Sequence, residues 1–332
     1  MVSKNTTIYY ILLIITLFIF PAELVAIDTS RPGPEDGPTD IKIIFYVIDI
    51  DEIIDSKQSF TANVFFQAEW EDKRLAKGDA VTKYDLEDVW NPNLQIVNRQ
   101  KTFKSFPDIV EVDPEGHVIY RQRVFGQFSQ PFDLHNFPMD TQKLSFQIVS
   151  VGNSPKEVKL STDIAGIAEK FSLPNWKILS WDFENFDQRF HEKLSLVEGL
   201  KFTITAKRYV QFYVFKFIIP LMLIVFMSWI VFWIDPTDYT AQISVSITSM
   251  LTLIAYQYLV SSSLPRLPYL TRLDILMVLS TALVFIALIE VTITSYLTKK
   301  DKIELARTMD RYCRYIFPGV FIIILLTPIL KG

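Results

Sequence analysis

The sequence predicts an extracytoplasmic all-β immunoglobulin-like sandwich followed by an all-α bundle of four transmembrane helices. Three observations carry this prediction. Residues Ile41 to Arg208 alternate apolar and polar side chains in short stretches broken by turn-forming clusters. After Arg208 long apolar runs replace that alternation. The chain also opens on a segment of export type. Composition agrees, because 50% hydrophobic with 21% charged residues is too apolar for a disordered chain and too charged for a membrane bundle alone.

At the N-terminus Lys4 precedes the apolar run Tyr9 to Phe20, and Ala22 and Ala26 offer small residues for cleavage. Residues 1–26 are therefore read as a signal peptide, with an uncleaved anchor as the alternative, and 27–208 as the exported domain. The single cysteine, Cys313, excludes an intrachain disulfide and a cysteine-held metal, and no cofactor is expected. A net charge of −4 gives no basic footprint for nucleic acid. Within the exported domain, Ile41 to Ile50, Phe60 to Trp70, Gly116 to Gln127, Lys143 to Val151 and Leu200 to Arg208 are rich in β-branched or aromatic residues. The clusters Lys77-Gly78-Asp79, Asp113-Pro114-Glu115-Gly116 and Gly152-Asn153-Ser154-Pro155 mark turns between strands. An antiparallel sandwich fits best; a closed barrel would satisfy the same periodicity.

Residues 209–332 form the membrane domain, with spans expected at about 210–234, 240–261, 274–298 and 308–330. Lys299, Lys300, Lys302, Arg307 and Arg311 lie between the third and fourth runs and put that loop in the cytoplasm. An exported N-terminus followed by four spans puts the same loop on the same side, with the C-terminus outside.

The second run is the least apolar. Thr240, Ser244, Thr248, Leu251, Ala255, Tyr258 and Ser262 recur at steps of three or four and share one helical face, while Ile243, Ile247, Met250 and Ile254 form another. In a ring of subunits the hydroxyls would line hydrated ion sites, and Leu251, with Ala255 and Tyr258, would form an apolar constriction able to dewet. Small polar side chains also pack membrane helices against each other, and on spacing alone the two readings stand level.

Several motifs add to this. Trp70-Glu71-Asp72-Lys73-Arg74-Leu75, Trp90-Asn91-Pro92 and Phe132-Asp133-Leu134-His135-Asn136-Phe137-Pro138-Met139-Asp140 occur in that order, followed by Pro220 and by Leu264-Pro265-Arg266-Leu267-Pro268-Tyr269-Leu270-Thr271. With these the chain resembles the pentameric ligand-gated ion channels, the family of the Cys-loop receptors and their bacterial relatives. Missing loop cysteines and a short cytoplasmic linker, roughly Thr298 to Arg307, are similar to the bacterial members. The resemblance implies a homopentamer in the cell (inner) membrane, surrounded by lipid. The second helices would form its pore, and an agonist at the subunit interface would twist the sandwiches.

It further implies a coupling junction made by Asp140 and Arg208, with Asp51 or Glu52 from the first hairpin loop. Phe137 and Pro138 would meet Pro265, Pro268 and Tyr269 there. Where cation channels of the family carry an inner-end glutamate this chain has Thr240 and Ala241. Asp235 and Asp238 offer a wider negative ring for monovalent cations, or they cap the following helix. For the agonist, Phe65, Phe186 and Phe190 occupy positions of the family's interfacial aromatic cage, although Val149 to Asn153 lacks the aromatic many receptors place there. Protons are the other candidate stimulus, with His117, His135 and His191 or displaced carboxylates as sensors. Glu290, ionisable at membrane depth, is expected to reach the interface or pair with a basic residue. No phosphate loop, metal-spaced cluster or nucleophile motif supports an enzyme. A non-conducting membrane receptor is the remaining rival.

Overall fold

The computed structural model describes residues 28–188, 197–261 and 266–330. The expected signal peptide lies outside these, as do Phe190, His191, Ser262 and Pro265. Eleven strands among the described residues precede four helices. The strands are β1 (Thr39–Ile54), β2 (Ser59–Glu71), β3 (Thr82–Asp85), β4 (Leu94–Ile96), β5 (Arg99–Lys104), β6 (Ile109–Val112), β7 (His117–Ser129), β8 (Thr141–Ser150), β9 (Val158–Ile167), β10 (Trp176–Gln188) and β11 (Val197–Arg208). They form two sheets: a seven-stranded one in the order β3-β6-β7-β2-β1-β9, with β5 also on β7, and a four-stranded one in the order β10-β11-β8-β4.

All pairings are antiparallel except that of β1 with β9, which is parallel and was not anticipated. The alternation read from the sequence becomes a buried–exposed alternation because successive strand side chains leave on opposite faces. In β2 and β7 it puts Phe60, Val64 and Phe128 into the space between the sheets. There Phe146 of β8 takes the edges of Phe60 and Phe128 at ring separations of 5.2 and 4.9 Å, and Phe45 of β1 closes on Phe202 of β11 at 5.1 Å. Each fully buried Phe contributes about 1.5–3 kcal/mol by leaving water. Gly116 turns the chain into β7 with φ +91°, and a Cβ there would meet Asp72 O at 2.8 Å, so the turn needs glycine.

Trp70 meets Trp90 edge-on at 6.1 Å, and buried Asp72 caps the short turn after β2 while pairing with Arg74 at 2.8 Å. These two motifs brace one end of the sandwich. Only Tyr209 and Val210 separate β11 from α1 (Gln211–Trp233), and α2 (Tyr239–Ser261), α3 (Arg272–Lys299) and α4 (Ile303–Leu330) follow. By length and composition α1, α2 and α3 can each cross a membrane. A wide π-helical turn at Val214–Ile218 leads into Pro220, whose ring cannot donate to the helix ladder. Thr271 and Asp274 close a reciprocal capping box at the start of α3. α4 begins more than a turn ahead of the expected 308, because Glu304 and Arg307 pair along its first turn and Ala306 is buried.

Candidate gating junction and pore-facing helix

The last residue of β11, Arg208, is buried where the sandwich meets the helices. Its Nε donates to Asp140 Oδ1 at 2.7 Å and its Nη2 to Asp140 Oδ2 at 3.0 Å. Nη2 and Nη1 also reach Asp55 Oδ1 and Oδ2 at 2.8 and 2.9 Å, and Nη1 reaches Tyr213 Oη at 2.9 Å. A guanidinium has five N–H donors, and each has an acceptor here. Trp176 lies under the charge at 4.1 Å and Phe137 at 4.9 Å, so aromatic faces add to the attraction. Burial alone would weaken the protonated form, yet bonds to Asp140 and then Asp55 hold the Arg208 pKa above its ordinary value.

The acid that the first hairpin supplies is Asp55, not Asp51 or Glu52. β1 runs on to Ile54, so Asp51 and Glu52 belong to a paired strand with Glu52 opposite Thr61, and both are exposed. Partial burial, and then the neighbouring charge of Asp49, raise the pKa of Asp51. Asp55 falls in the turn after the strand, facing Arg208. Gln142 completes the group by donating to Asp140 Oδ2 at 2.6 Å.

The loop from Phe132 to Asp140 reaches the helices through Tyr269. The Leu134 amide donates to Tyr269 Oη at 3.1 Å, and the His135 ring stacks on the Tyr269 ring with centroids 3.7 Å apart. Arg272 N, at the head of α3, donates to His135 O at 3.1 Å. Phe137, in a cis bond to buried Pro138, meets Tyr213 of α1 edge-on at 4.9 Å. One loop therefore touches both α1 and the segment leading into α3. Pro268, beside Tyr269, is exposed.

In α2 the structure sorts the polar residues into two sets. Thr240, Ser244, Thr248, Leu251, Ala255 and Tyr258 are all exposed in the single chain, Leu251 at 62% and Tyr258 at 82%. Gln242, Ser246 and Ser249 are instead buried against the other helices. The helical period had put the first set on one face, but which face packs inward comes from the structure. Ile247 and Ile254 flank the stripe and are also exposed.

At the inner end of α2, Asp238 Oδ1 accepts from Ala241 N at 3.2 Å, the bond of a helix cap. Asp235 accepts from the backbone and hydroxyl of Thr237 and pairs with Arg307 at 3.1 Å. Those bonds, the Thr237 backbone first, hold the Asp235 pKa below its ordinary value. Phe65 and Phe186 lie on different sheets of the chain. Phe65 meets Phe106 edge-on at 6.5 Å, whereas Phe186 lies over Gly199 of the paired strand. Of the histidines, His117 pairs with Asp113 at 2.7 Å and His135 with Asp133 at 2.6 Å. Among the described residues Glu290 meets no basic residue; its neighbour is Asp310 of α4.

Comparison with known proteins agrees with this geometry. The description of the neurotransmitter-gated ion-channel ligand binding domain matches residues 28–217, and that of the neurotransmitter-gated ion-channel transmembrane region matches 217–304. The chain belongs to the neurotransmitter-gated ion-channel family, pentameric ligand-gated channels rather than enzymes. It is 27% identical over 305 residues to a proton-gated ion channel of Gloeobacter violaceus, across 89% of this chain and 84% of that one. It is 26% identical to gamma-aminobutyric acid receptor subunit rho-3 of Rattus norvegicus and 25% identical to subunit beta-4 of Gallus gallus, across 82% and 80% of this chain. The chain spans 62% and 57% of the length of those two receptor subunits.

Proposed function

We propose that this chain assembles as a homopentamer around the exposed face of α2 and conducts monovalent cations across the cell (inner) membrane. The observation that carries the reading is the unpartnered stripe Thr240, Ser244, Thr248, Leu251, Ala255, Tyr258, with small hydroxyls at one end and large apolar groups toward the other. Five such stripes would enclose water at the hydroxyl end and a dewetting constriction at Leu251. Asp235 and Asp238 would add negative charge at the inner mouth while still serving as turn and cap. All four helices span the bilayer in this reading, in contact with lipid.

The stimulus acts on the exported domain. Likeness to a proton-gated channel favours a pH change, sensed at Asp51 of β1 or at the His117–Asp113 pair. The alternative is a small agonist held between Phe65 of one subunit and Phe186 and Phe190 of the next. Either stimulus opens the pore only by favouring the open arrangement over the closed one. Arg208, Asp140 and Asp55, with Phe137, Pro138, Pro265, Pro268 and Tyr269, pass that preference to the helices.

The test is current through purified protein in a planar bilayer with asymmetric salt, while pH and small amines are varied. Currents that reverse near the cation equilibrium potential are expected. Reversal toward the anion potential would overturn the selectivity, and protein that assembles but never conducts would favour a receptor that only senses.

A further inference from the structure

Between α2, α3 and α4 lies a buried acidic site that neither the junction nor the pore stripe uses. Glu290 is 7% exposed and Asp310 and Gln242 are 0% exposed. The carboxyl groups of Glu290 and Asp310 are side by side, with the Cys313 thiol also against Glu290. Gln242 is aimed at the pair: its Nε2 is 3.4 Å from Asp310 Oδ2 and also donates to Ile234 O at 3.1 Å. Yet both Glu290 oxygens, Asp310 Oδ1 and Gln242 Oε1 have no hydrogen-bond partner among the described residues. Ser246 Oγ, one turn along α2, has none either.

Among the described residues the Cys313 thiol offers Glu290 only a weak S–H donor, and the basic neighbours supply none. Arg314 donates to Phe232 O at 2.7 Å and lies over Trp233, while Arg307 is engaged by Asp235 and Glu304. Asp235, just beyond α1, adds only negative charge. Two acceptor-only carboxylates touching in a water-poor interior repel each other and leave lone pairs unpaired, both costly. One added proton eases both defects, because it removes a charge and makes an O–H that one carboxyl donates to the other, engaging two of the four orphaned oxygens.

We propose that Glu290 and Asp310 form an intramembrane proton-binding site that holds one shared proton at neutral pH and braces the inner end of α2 through Gln242. The proton comes from water and is bound as the bridging hydrogen, with no other bond made or broken. This inference rests on the membrane reading of α2 to α4, though it does not need the channel to open.

The experiment is infrared difference spectroscopy of the full chain in lipid at neutral pH. Expected is a protonated carboxylic acid carbonyl band, shifted in heavy water and lost in Glu290→Gln, in Asp310→Asn and in the double variant. In the single variants the new amide supplies a donor, so the remaining acid ionises. Should a single variant fail to assemble, the double variant, an uncharged pair of the same shape, carries the comparison. A wild-type spectrum without the band, or a band that survives both substitutions, overturns the proposal. So does a carboxylate spectrum that responds to replacing sodium with N-methylglucamine, which would make the occupant a metal cation. A chain that keeps the band but passes no current refutes only the channel reading.

Discussion

The Arg208 junction yields the sharpest prediction. Asp140→Ala removes the acceptors of two of the five guanidinium N–H groups and one acceptor of the Gln142 amide, which keeps its bond to Asp133 O. At about 1.5–3 kcal/mol for each hydrogen bond to a charged group, the two lost bonds come to roughly 3–6 kcal/mol, overlapping the roughly 3–5 kcal/mol for breaking a buried pair. Asp55→Ala also removes two acceptors, but the Asp55 side chain is 16% exposed against 1% for Asp140, so water compensates part and the cost is smaller. Arg208→Met should cost most, since it leaves two buried carboxylates without a cation. Arg208→Lys should not rescue, because an ammonium has three donors and no fork. Melting of the purified assembly gives the stability order, and evoked current normalised to surface protein gives coupling; on the proposed function each variant assembles but conducts poorly. A lysine variant that matches the parent in both, or an Arg208→Met variant that does, would show the network to be incidental.

Three further outcomes are expected. Leu251→Thr should ease opening by wetting the constriction, lowering the stimulus for half-maximal current about tenfold; an unchanged or higher requirement counts against Leu251 as the gate. Asp238→Ala should cost about 1 kcal/mol through loss of the α2 cap, read as a lower melting temperature, and a purely electrostatic role would instead move only the reversal potential. For His117, its bond to Asp113 raises the pKa. Its stabilising contribution is therefore complete below the unfolded value near 6.5 and lost as pH rises through the folded value. His117→Gln should lower the melting temperature at mildly acidic pH and converge with the parent at alkaline pH; a constant gap would refute the linkage.

Much of this was legible in the residues, for reasons that also show where reading stops. Period-two alternation in Phe60 to Trp70 located β2 because one face is buried along its whole length. The hairpin acid was misplaced because the first strand was expected to end at Ile50, whereas β1 runs on to Ile54 through register shifts between Val47 and Asp49 and between Ile50 and Glu52. Parity read from the start of such a strand no longer says where its end points. Asp55 could have been found from the turn composition Asp55-Ser56-Lys57, but not its contact with a residue far along the chain. In α2 the helical period defined the faces, while which face meets water depends on where α1 and α3 pack. Glu290 was conspicuous as a charge in an apolar run. Its partner Asp310 was not, because the two meet across helices rather than along one.

The junction between β11 and α1 has a mechanical corollary. With two residues in the connection and Arg208 clamped at its edge, there is no slack in which a twist of the sheet could dissipate. The strand end and the first helix are held together as one crank, so on the proposed function a twist that reaches this edge of the sandwich is passed to α1. Lengthening that connection by a few glycines would leave both halves folded and turn the crank into a loose hinge.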